Sequence, residues 1–475
     1  MSIAGVFTEG RQDAAELLSD VFLANSAATD DFVCVKNAGK SHALGLLGRS
    51  VSLGNRICQS LENGLVVGTL PTSLGFIDAC FSGFDDFQDA RPRWLNALKE
   101  ESESYDGGYA AIVALPSGLV GLRDPLGQQP LFCTRTESFT ALSSSRKILW
   151  AIDGHVQVHR SGAMTHFSSR TVKNYRIRDV SLPEAPDIVT FEEASISLSR
   201  LILDSVRTAV GSAKKVGVLF SGGLDSSVVA SAAKLLGLET RLYTTAFCDP
   251  HLLLQAEEAA RMLDLDLDAR LLGEEETEKA LGHTVWAAES ADPLQVSVAL
   301  PLDVAAQSAV REGETVLLSG SGADELFGGY ARYTQIFEQS GEKALSETMY
   351  MDVLRLSETD TLRDGAIGES NRIQLYAPFL NLKLADFALR IPVGFKIGGQ
   401  VEGLNKQILR DSAKRLDVPV EVACSPKKAA QYSSGSLKAL RRLARNKGVR
   451  VQELLDSILV GLRRDLVEKM HQVSA

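Results

Sequence analysis

Up to about residue 180 the chain alternates apolar and polar positions in short runs, GLVVGTL, YAAIVAL, GLVGLRD and FTALSSS, broken by glycine. A period of two puts one face of each run in a core, so this half is predicted to be a mainly β domain with a few helices. From about residue 195 the rhythm changes. Helical stretches such as EASISLSRLILDSVRTAV alternate with brief apolar runs, KVGVLF, RLYTTAF and ETVLLSG. That order predicts a parallel sheet covered by helices. The segment SLPEAPDIVTF, with two prolines, reads as a linker, which gives domains at 1–182 and 196–475 joined by 183–195. Beyond Tyr330 the pattern is nearly all helical, and neither an internal repeat nor a low-complexity tract interrupts it.

Composition narrows the class. The 475 residues are 45% hydrophobic and 23% charged, enough apolar material for two cores. A net charge of -10 repels nucleic acid and anionic lipid. Six cysteines lie far apart, without a C-x-x-C pair or histidines at metal-ligand spacing, and are expected to be buried free thiols of a reducing compartment. The opening MSIAGVFTEG has no basic segment followed by an apolar core, and no apolar run approaches the roughly 18 residues of a membrane span. A cytoplasmic protein is expected.

The densest chemistry lies in VGVLFSGGLDSSVVASAAKLLG, Val216 to Gly237. A buried strand runs into Ser221, Gly222 and Gly223, and a helix begins near Ser226. Glycines let backbone N–H groups approach a ligand, and a helix N-terminus favours an anion, so the turn reads as a phosphate cradle. It is not the common nucleotide loop G-x-x-x-x-G-K-[ST]. The nearest approach to that pattern, CVKNAGKS at Cys34 to Ser41, lacks its first glycine and reads as a surface turn. A helix N-cap at Asp225 or Ser226 would account for one or two of the seven residues in SGGLDSS, not for all of them.

SGGLDSS resembles the pyrophosphate-binding loop of the ATP pyrophosphatases, and LLSGSGADELFGGYARY resembles the second signature of the asparagine synthetase branch. The resemblance extends through LRDGAIGESNRIQLYAPFLN, NKQILR and SPKKAAQYSSG. In the first half, YDGGYAAIVAL and GLRDPLGQQPL are similar to the glutamine amidotransferase domain that precedes the synthetase domain in that family. The fold implied is α/β overall: an N-terminal α+β amidotransferase-like (Ntn-type) sandwich, then a parallel-sheet ATP-pyrophosphatase domain with a helical C-terminal part. The reaction implied is activation of a carboxylate by ATP to an acyl-adenylate with loss of pyrophosphate, followed by attack of ammonia or an amine, with Mg2+ on the phosphates.

On this resemblance Ser221, Gly222, Gly223, Ser226 and Ser227 supply donors to the pyrophosphate, while Asp225 and Asp324 bind magnesium. Gly320 and Gly322 of the second turn belong to the same nucleotide-binding set. Adenine and ribose contacts come from the backbone around Leu219 and from YTTAF, which holds Thr245. Lys427 matches the lysine that stabilises charge on the adenylate. Lys428 is an almost equal candidate, because KKAAQYSSG has two more residues before its glycine than the usual family spacing.

The chain departs from the family at telling places. Ser321 stands where glutamine-dependent asparagine synthetases carry a glutamate that assists proton removal from the attacking nitrogen, and serine alone is no general base near neutral pH. Gln374, Tyr376 and Asn381 replace glutamate, arginine and aspartate. The amidotransferase cysteine that follows the initiator methionine has no counterpart: Ser2 follows Met1, and no cysteine precedes Cys34. VGTLPT, Val67 to Thr72, replaces the glutamine-binding NGEIYN and keeps only Gly68, while Ser144 and Ser145 replace a serine-glutamate pair. Arg49 is the one match to a substrate-binding arginine.

The leading expectation is therefore an amide-forming ligase acting on a small carboxylic acid, aspartate first, with ammonia or an amine as nitrogen source and without glutaminase activity. A lactam-forming or other amide synthetase of the family, a nucleotide-binding regulatory subunit and an RNA-modifying relative are the alternatives. The basic stretch LKALRRLARNKGVR is the one feature that favours RNA, and it reads better as a solvated amphipathic helix beside an anionic ATP site. Neither nucleic acid nor membrane is expected as a partner; a homodimer is a family-level expectation.

Overall fold

The computed structural model describes residues 2–8, 13–25, 32–37, 41–48, 56–61, 64–69, 87–104, 107–152, 155–178, 180, 182, 190–397, 405–425 and 434–473. The chain divides into two compact units, Met1–Asp179 with Val460–Ala475, and Val180–Leu459. Residues 183–189 of the expected linker lie outside the described residues, and helix is already present from Phe191.

In the first unit the alternating runs become strands β1 (Ser2–Thr8), β2 (Phe32–Asn37), β3 (His42–Gly48), β4 (Arg56–Leu61), β5 (Gly64–Thr69), β6 (Ala110–Leu115), β7 (Gly118–Arg123), β8 (Phe132–Arg135), β9 (Phe139–Ser143), β10 (Gln157–Val158), β11 (Ala163–Ser168) and β12 (Val172–Arg176). They pair antiparallel in two sheets, ordered β10-β8-β9-β1-β3-β2 and β12-β11-β7-β6-β5-β4. Strand β6 shows why the runs are apolar throughout. Ala110, Ile112 and Ala114 meet Ile3, Phe7 and Leu44 between the sheets, while Ala111 and Val113 pack outward under Phe87, Trp94 and Leu98 of helix α2 (Phe87–Ser104). Helices α1 (Ala14–Asn25) and α3 (Arg146–Ile152) pack on the other sheet, completing a four-layer α+β sandwich. Gly5 lets the layers close, since a Cβ there would lie 2.5 Å from Leu44 and 2.8 Å from Ile112.

The second unit opens with α4 (Phe191–Val210), whose Ala194, Leu198, Ile202, Val206 and Val210 recur every fourth residue on the buried face. Its start is fixed by Thr190, whose hydroxyl accepts from Glu193 N at 3.3 Å. Five parallel strands follow: β13 (Lys215–Leu219), β14 (Glu239–Phe247), β15 (Asp266–Leu272), β16 (Val316–Leu318) and β17 (Gln374–Tyr376). Their order is β15-β14-β13-β16-β17. The chain builds outward from β13 on one side, then crosses back to add β16 on the other. The switch point between β13 and β16 opens a crevice at the carboxyl ends of the strands, the usual ligand position in such sheets.

The helices of this unit are α5 (Leu224–Leu235), α6 (Leu254–Leu263), α7 (Glu274–Ala287), α8 (Pro293–Arg311), α9 (Ala323–Phe327), α10 (Ala331–Leu356), α11 (Asp360–Ser370), α12 (Leu382–Arg390), α13 (Gln407–Arg415), α14 (Val420–Ala423), α15 (Ser436–Asn446) and α16 (Val451–Val473), the last running on into the first unit's residues. No helix among the described residues is long and apolar enough to cross a membrane. One expectation is corrected here. Cys248 and Cys424 are exposed and Cys133 is only partly buried, because Cys248 leaves β14 at a left-handed turn (φ 61°) and Cys424 ends the one-turn helix α14.

Candidate functional site

The SGGLDSS loop sits where β13 gives way to α5, at the switch point. Phe220 N continues the ladder to Tyr243 O at 2.8 Å, so the strand is held up to the residue before the loop. Gly222 has φ 72°, and a Cβ there would lie 2.5 Å from Gln255 O and 2.7 Å from Ala256 Cα. Only glycine lets the loop lie this close to α6. Gly223 is the N-cap of α5 and brings no side chain, leaving the first-turn N–H groups pointing at the crevice. Ser226 Oγ accepts from Ser221 N at 3.3 Å and donates to Gly223 O at 3.2 Å, fixing the turn. Among the described residues the buried hydroxyls of Ser227 and Thr245 have no hydrogen-bond partner.

The second signature turn lies directly against the first. A Cβ on Gly320 would meet Asp225 Cβ at 3.0 Å and Ser226 N at 3.1 Å. Gly322, with φ 89°, starts α9 and brings Asp324 into its first turn. Asp225 and Asp324, about a hundred positions apart, converge on one group. Lys406 Nζ lies 2.6 Å from both carboxylate oxygens of Asp225 and 2.6 Å from Asp324 Oδ1. Lys406 is buried and adopts a left-handed φ of 66° at the start of α13. Burial opposes its charge, but the two carboxylates outweigh burial and raise its pKa. Asparagine, aspartate and glycine are the residues usual at such a φ, so the ion pairs hold lysine in a conformation it rarely adopts. Gly329 leaves room for the trio, as a Cβ there would sit 1.9 Å from Asp324 Oδ1 and 2.4 Å from Lys406 Cε.

Three further groups lie around this centre, with Ser321 half-buried and Glu325 and Lys396 buried. Ser321 Oγ donates to Asp364 Oδ2 at 3.2 Å and accepts from Ser319 Oγ at 3.2 Å. Glu325 accepts a short hydrogen bond from Tyr330; burial, then the adjacent Asp324, raises its carboxyl to about 7. Lys396, on the turn behind Gly328, is 2% exposed, and burial pushes its ammonium down to about 7. Lys427 and Lys428 lie outside the described residues, as do Arg49 and residues 38–40 of the CVKNAGKS stretch. The flanks of the lysine segment are described: Ser425 O accepts from Arg410, and Ser434 O accepts from Phe247 N at the end of β14.

The sequence profile of the asparagine synthase family matches residues 197–340 and 337–457, more than half of the chain and including both turns and Lys406. A Methanocaldococcus jannaschii protein provisionally named glutamine-hydrolysing asparagine synthetase 1 is 31% identical over 414 residues, which cover 76% of this chain and 75% of that one. The chain belongs to the asparagine synthase family. It is also 27% identical to the glutamine-hydrolysing asparagine synthetase of Cricetulus griseus over 66% of this chain and 61% of that protein. Among solved structures, the NMN synthetase from Francisella tularensis aligns over 61% of this chain with a TM-score of 0.30 and 16% identity.

In this family member Ser144 and the RDPLGQQPL turn are wired into the first unit's own scaffold, while Arg49 and residues 70–72 lie outside the described residues. Ser144 Oγ accepts from Ile3 N at 3.0 Å, and Ser143 Oγ donates to Ile3 O at 2.9 Å. The RDPLGQQPL turn closes on itself: buried Arg123 donates to the carbonyls of Gly127, Gln129 and His159, and Asp124 accepts from the backbone N–H of Leu126, Gln128 and Gln129. In the second unit, Asn381 caps α12 by accepting from Leu384 N at 3.2 Å. The basic stretch is α15 and the turn after it, and three of its charges are already paired, Arg450 with Glu453 at the start of α16. Arg442 meets Glu274 at 2.7 Å and Lys447 meets Glu278 at 2.6 Å, both on α7. Lys406, Asp364 and Glu325 are the site residues that sequence reasoning did not single out. NKQILR, already matched to the family, was the one available signal for Lys406.

Proposed function

We propose that the protein is an ATP-dependent amide-forming ligase that activates a carboxylic acid, aspartate in the first place, as an acyl-adenylate with release of pyrophosphate. Ammonia or an amine then attacks the acyl carbon, and AMP leaves. One observation carries this reading: the two glycine-rich turns abut at the sheet's switch point and aim Asp225 and Asp324 at a single cation. The loop N–H groups and the unpartnered hydroxyls of Ser227 and Thr245 are donors suited to phosphate and ribose oxygens. Magnesium, when bound, neutralises phosphate charge. Two convergent carboxylates fit that ion, which takes few protein ligands and completes its shell with phosphate oxygens and water. Among the described residues no third acidic, histidine or cysteine side chain gathers with them. Lys406 then shares the anionic centre with the departing pyrophosphate, and Lys427 or Lys428 supplies charge to the adenylate.

The test is pyrophosphate release from ATP and Mg2+ with aspartate and a panel of other carboxylic acids, each with ammonium. Acid-dependent release that disappears in Asp225→Asn and in Asp324→Asn supports the reading. Release that persists at near-normal rate in both variants overturns the magnesium assignment, and silence with every acid overturns the ligase.

A further inference from the structure

Amide formation from an adenylate needs a proton acceptor. When the C–N bond forms and the bond to AMP breaks, the nitrogen carries a positive charge until one N–H proton leaves. Ser321 lies in the turn that abuts the phosphate loop, but a serine hydroxyl can take that proton only if it passes its own onward. The neighbouring carboxylates are committed: Asp225 and Asp324 hold Lys406, and Glu325 holds Tyr330.

Asp364 differs. It is 6% exposed, sits on α11, and directs Oδ2 to Ser321 Oγ. Its other oxygen, Oδ1, is gripped by Arg363 through Nε at 2.8 Å and Nη2 at 2.7 Å. Arg363 is braced by Asp360 and by Gln295 Oε1 of α8 at 3.2 Å. With Oδ1 held in this way, the carboxylate keeps Oδ2 on the Ser321 hydroxyl. Ser319 donates to the same Oγ at 3.2 Å, which fixes the hydroxyl hydrogen on Asp364.

We propose that Asp364 positions Ser321 and receives its proton, so that Ser321 takes the proton of the attacking amine as the amide bond forms. The balance is closed: the N–H proton goes to Ser321 Oγ, the Ser321 proton goes to Asp364 Oδ2, and AMP leaves with the electron pair of the broken C–O bond. Burial raises the pKa of Asp364 while the Arg363 charge opposes that, and the flanking Asp360 adds to the rise. This inference rests on the amide-ligase reading above and concerns only its second half-reaction.

The experiment separates the halves in the full-length protein. Exchange of labelled pyrophosphate into ATP, dependent on the acid, reports adenylate formation; amide formation is followed with ammonium and with hydroxylamine, a stronger nucleophile that needs less help in losing a proton. Asp364→Asn and Ser321→Ala are expected to keep exchange within about 3-fold and to lose about 100-fold in amide formation with ammonium, the low end for a general base. With hydroxylamine the loss shrinks to under about 10-fold, and Ser321→Thr, which keeps the hydroxyl, retains activity. The double variant should fall no further than either single one, as for groups acting as a unit. Equal loss of exchange and amide formation, or no loss in Ser321→Ala, overturns the inference. Absence of exchange in the wild-type protein with every acid overturns the ligase reading instead.

Discussion

At the scale of single residues, two lysines carry opposite consequences of burial. Lys406 is balanced by two carboxylates, so removing it leaves like charges facing each other in a partly buried place. Lys406→Met is expected to cost on the order of 3 kcal/mol, as for other buried pairs stripped of one partner. Because Mg2+ suits the same two carboxylates, it should raise the melting temperature of the variant well above its effect on the wild type. Equal shifts in both proteins would show that the aspartates do not converge. Among the described residues Lys396 has no such balance, and burial pushes its ammonium down to about 7. The unfolded chain titrates near pH 10.4, so between that value and about 7 the unfolded state binds more protons. Stability is therefore lost as pH falls through this window, and the penalty is complete below it. Lys396→Met should gain on the order of 4 kcal/mol at neutral pH and lose that advantage by about pH 10.4, at about 1.4 kcal/mol per pH unit. Parallel stability curves for the two proteins between pH 7.5 and 10 would refute the assignment.

At the scale of elements, Gly222 and Gly237 bracket α5 with nearly the same φ, 72° and 75°, yet only the first is crowded. Gly237→Ala meets open space and costs about 1 kcal/mol of left-handed strain. Gly222→Ala adds a Cβ 2.5 Å from the α6 backbone, so it must push the phosphate loop or α6 aside. Pyrophosphate release should survive the first change and fall at least about 10-fold in the second, and equal activity of the two variants would remove the close-approach argument. This contrast also marks what the sequence could reveal. The loop was legible because glycines and hydroxyls after an apolar run betray a backbone that approaches something, and the helical rhythm of Ala194 to Val210 was legible because packing selects every fourth residue. Lys406 was not, since nothing beside it in the chain explains a left-handed lysine. Its partner Asp225 lies 181 residues away. Asp364 was hidden for the same reason, 43 residues from the serine it holds. The charges of α15 and the turn after it were read as solvated because Glu274 and Glu278, which answer Arg442 and Lys447, lie far upstream.

At the scale of the whole molecule, the two units divide the question of where the nitrogen comes from. The second carries the two convergent turns, whereas the first keeps an α+β sandwich in which Ser144 and the RDPLGQQPL turn serve its own backbone. Ser143 and Ser144 fasten Ile3, Arg123 and Asp124 close the RDPLGQQPL turn, and Ser2 is buried within β1. A serine in that place lacks the nucleophilicity of a thiolate, and a buried one cannot meet glutamine. Amide formation should therefore proceed with ammonium and be insensitive to glutamine at any concentration. The sharper form of the prediction compares Ser2→Ala with the wild type. Both should show the same ammonium-dependent rate and no glutamate release from glutamine, the outcome expected of a residue buried within β1. Glutamate release that is lost in Ser2→Ala would mean that the serine reaches substrate, and the first unit would then be a working glutaminase. Glutamate release unaffected by Ser2→Ala would place a nucleophile elsewhere in the chain. Only the absence of release in both proteins leaves ammonia, or an amine borne by the substrate, as the nitrogen that attacks the adenylate.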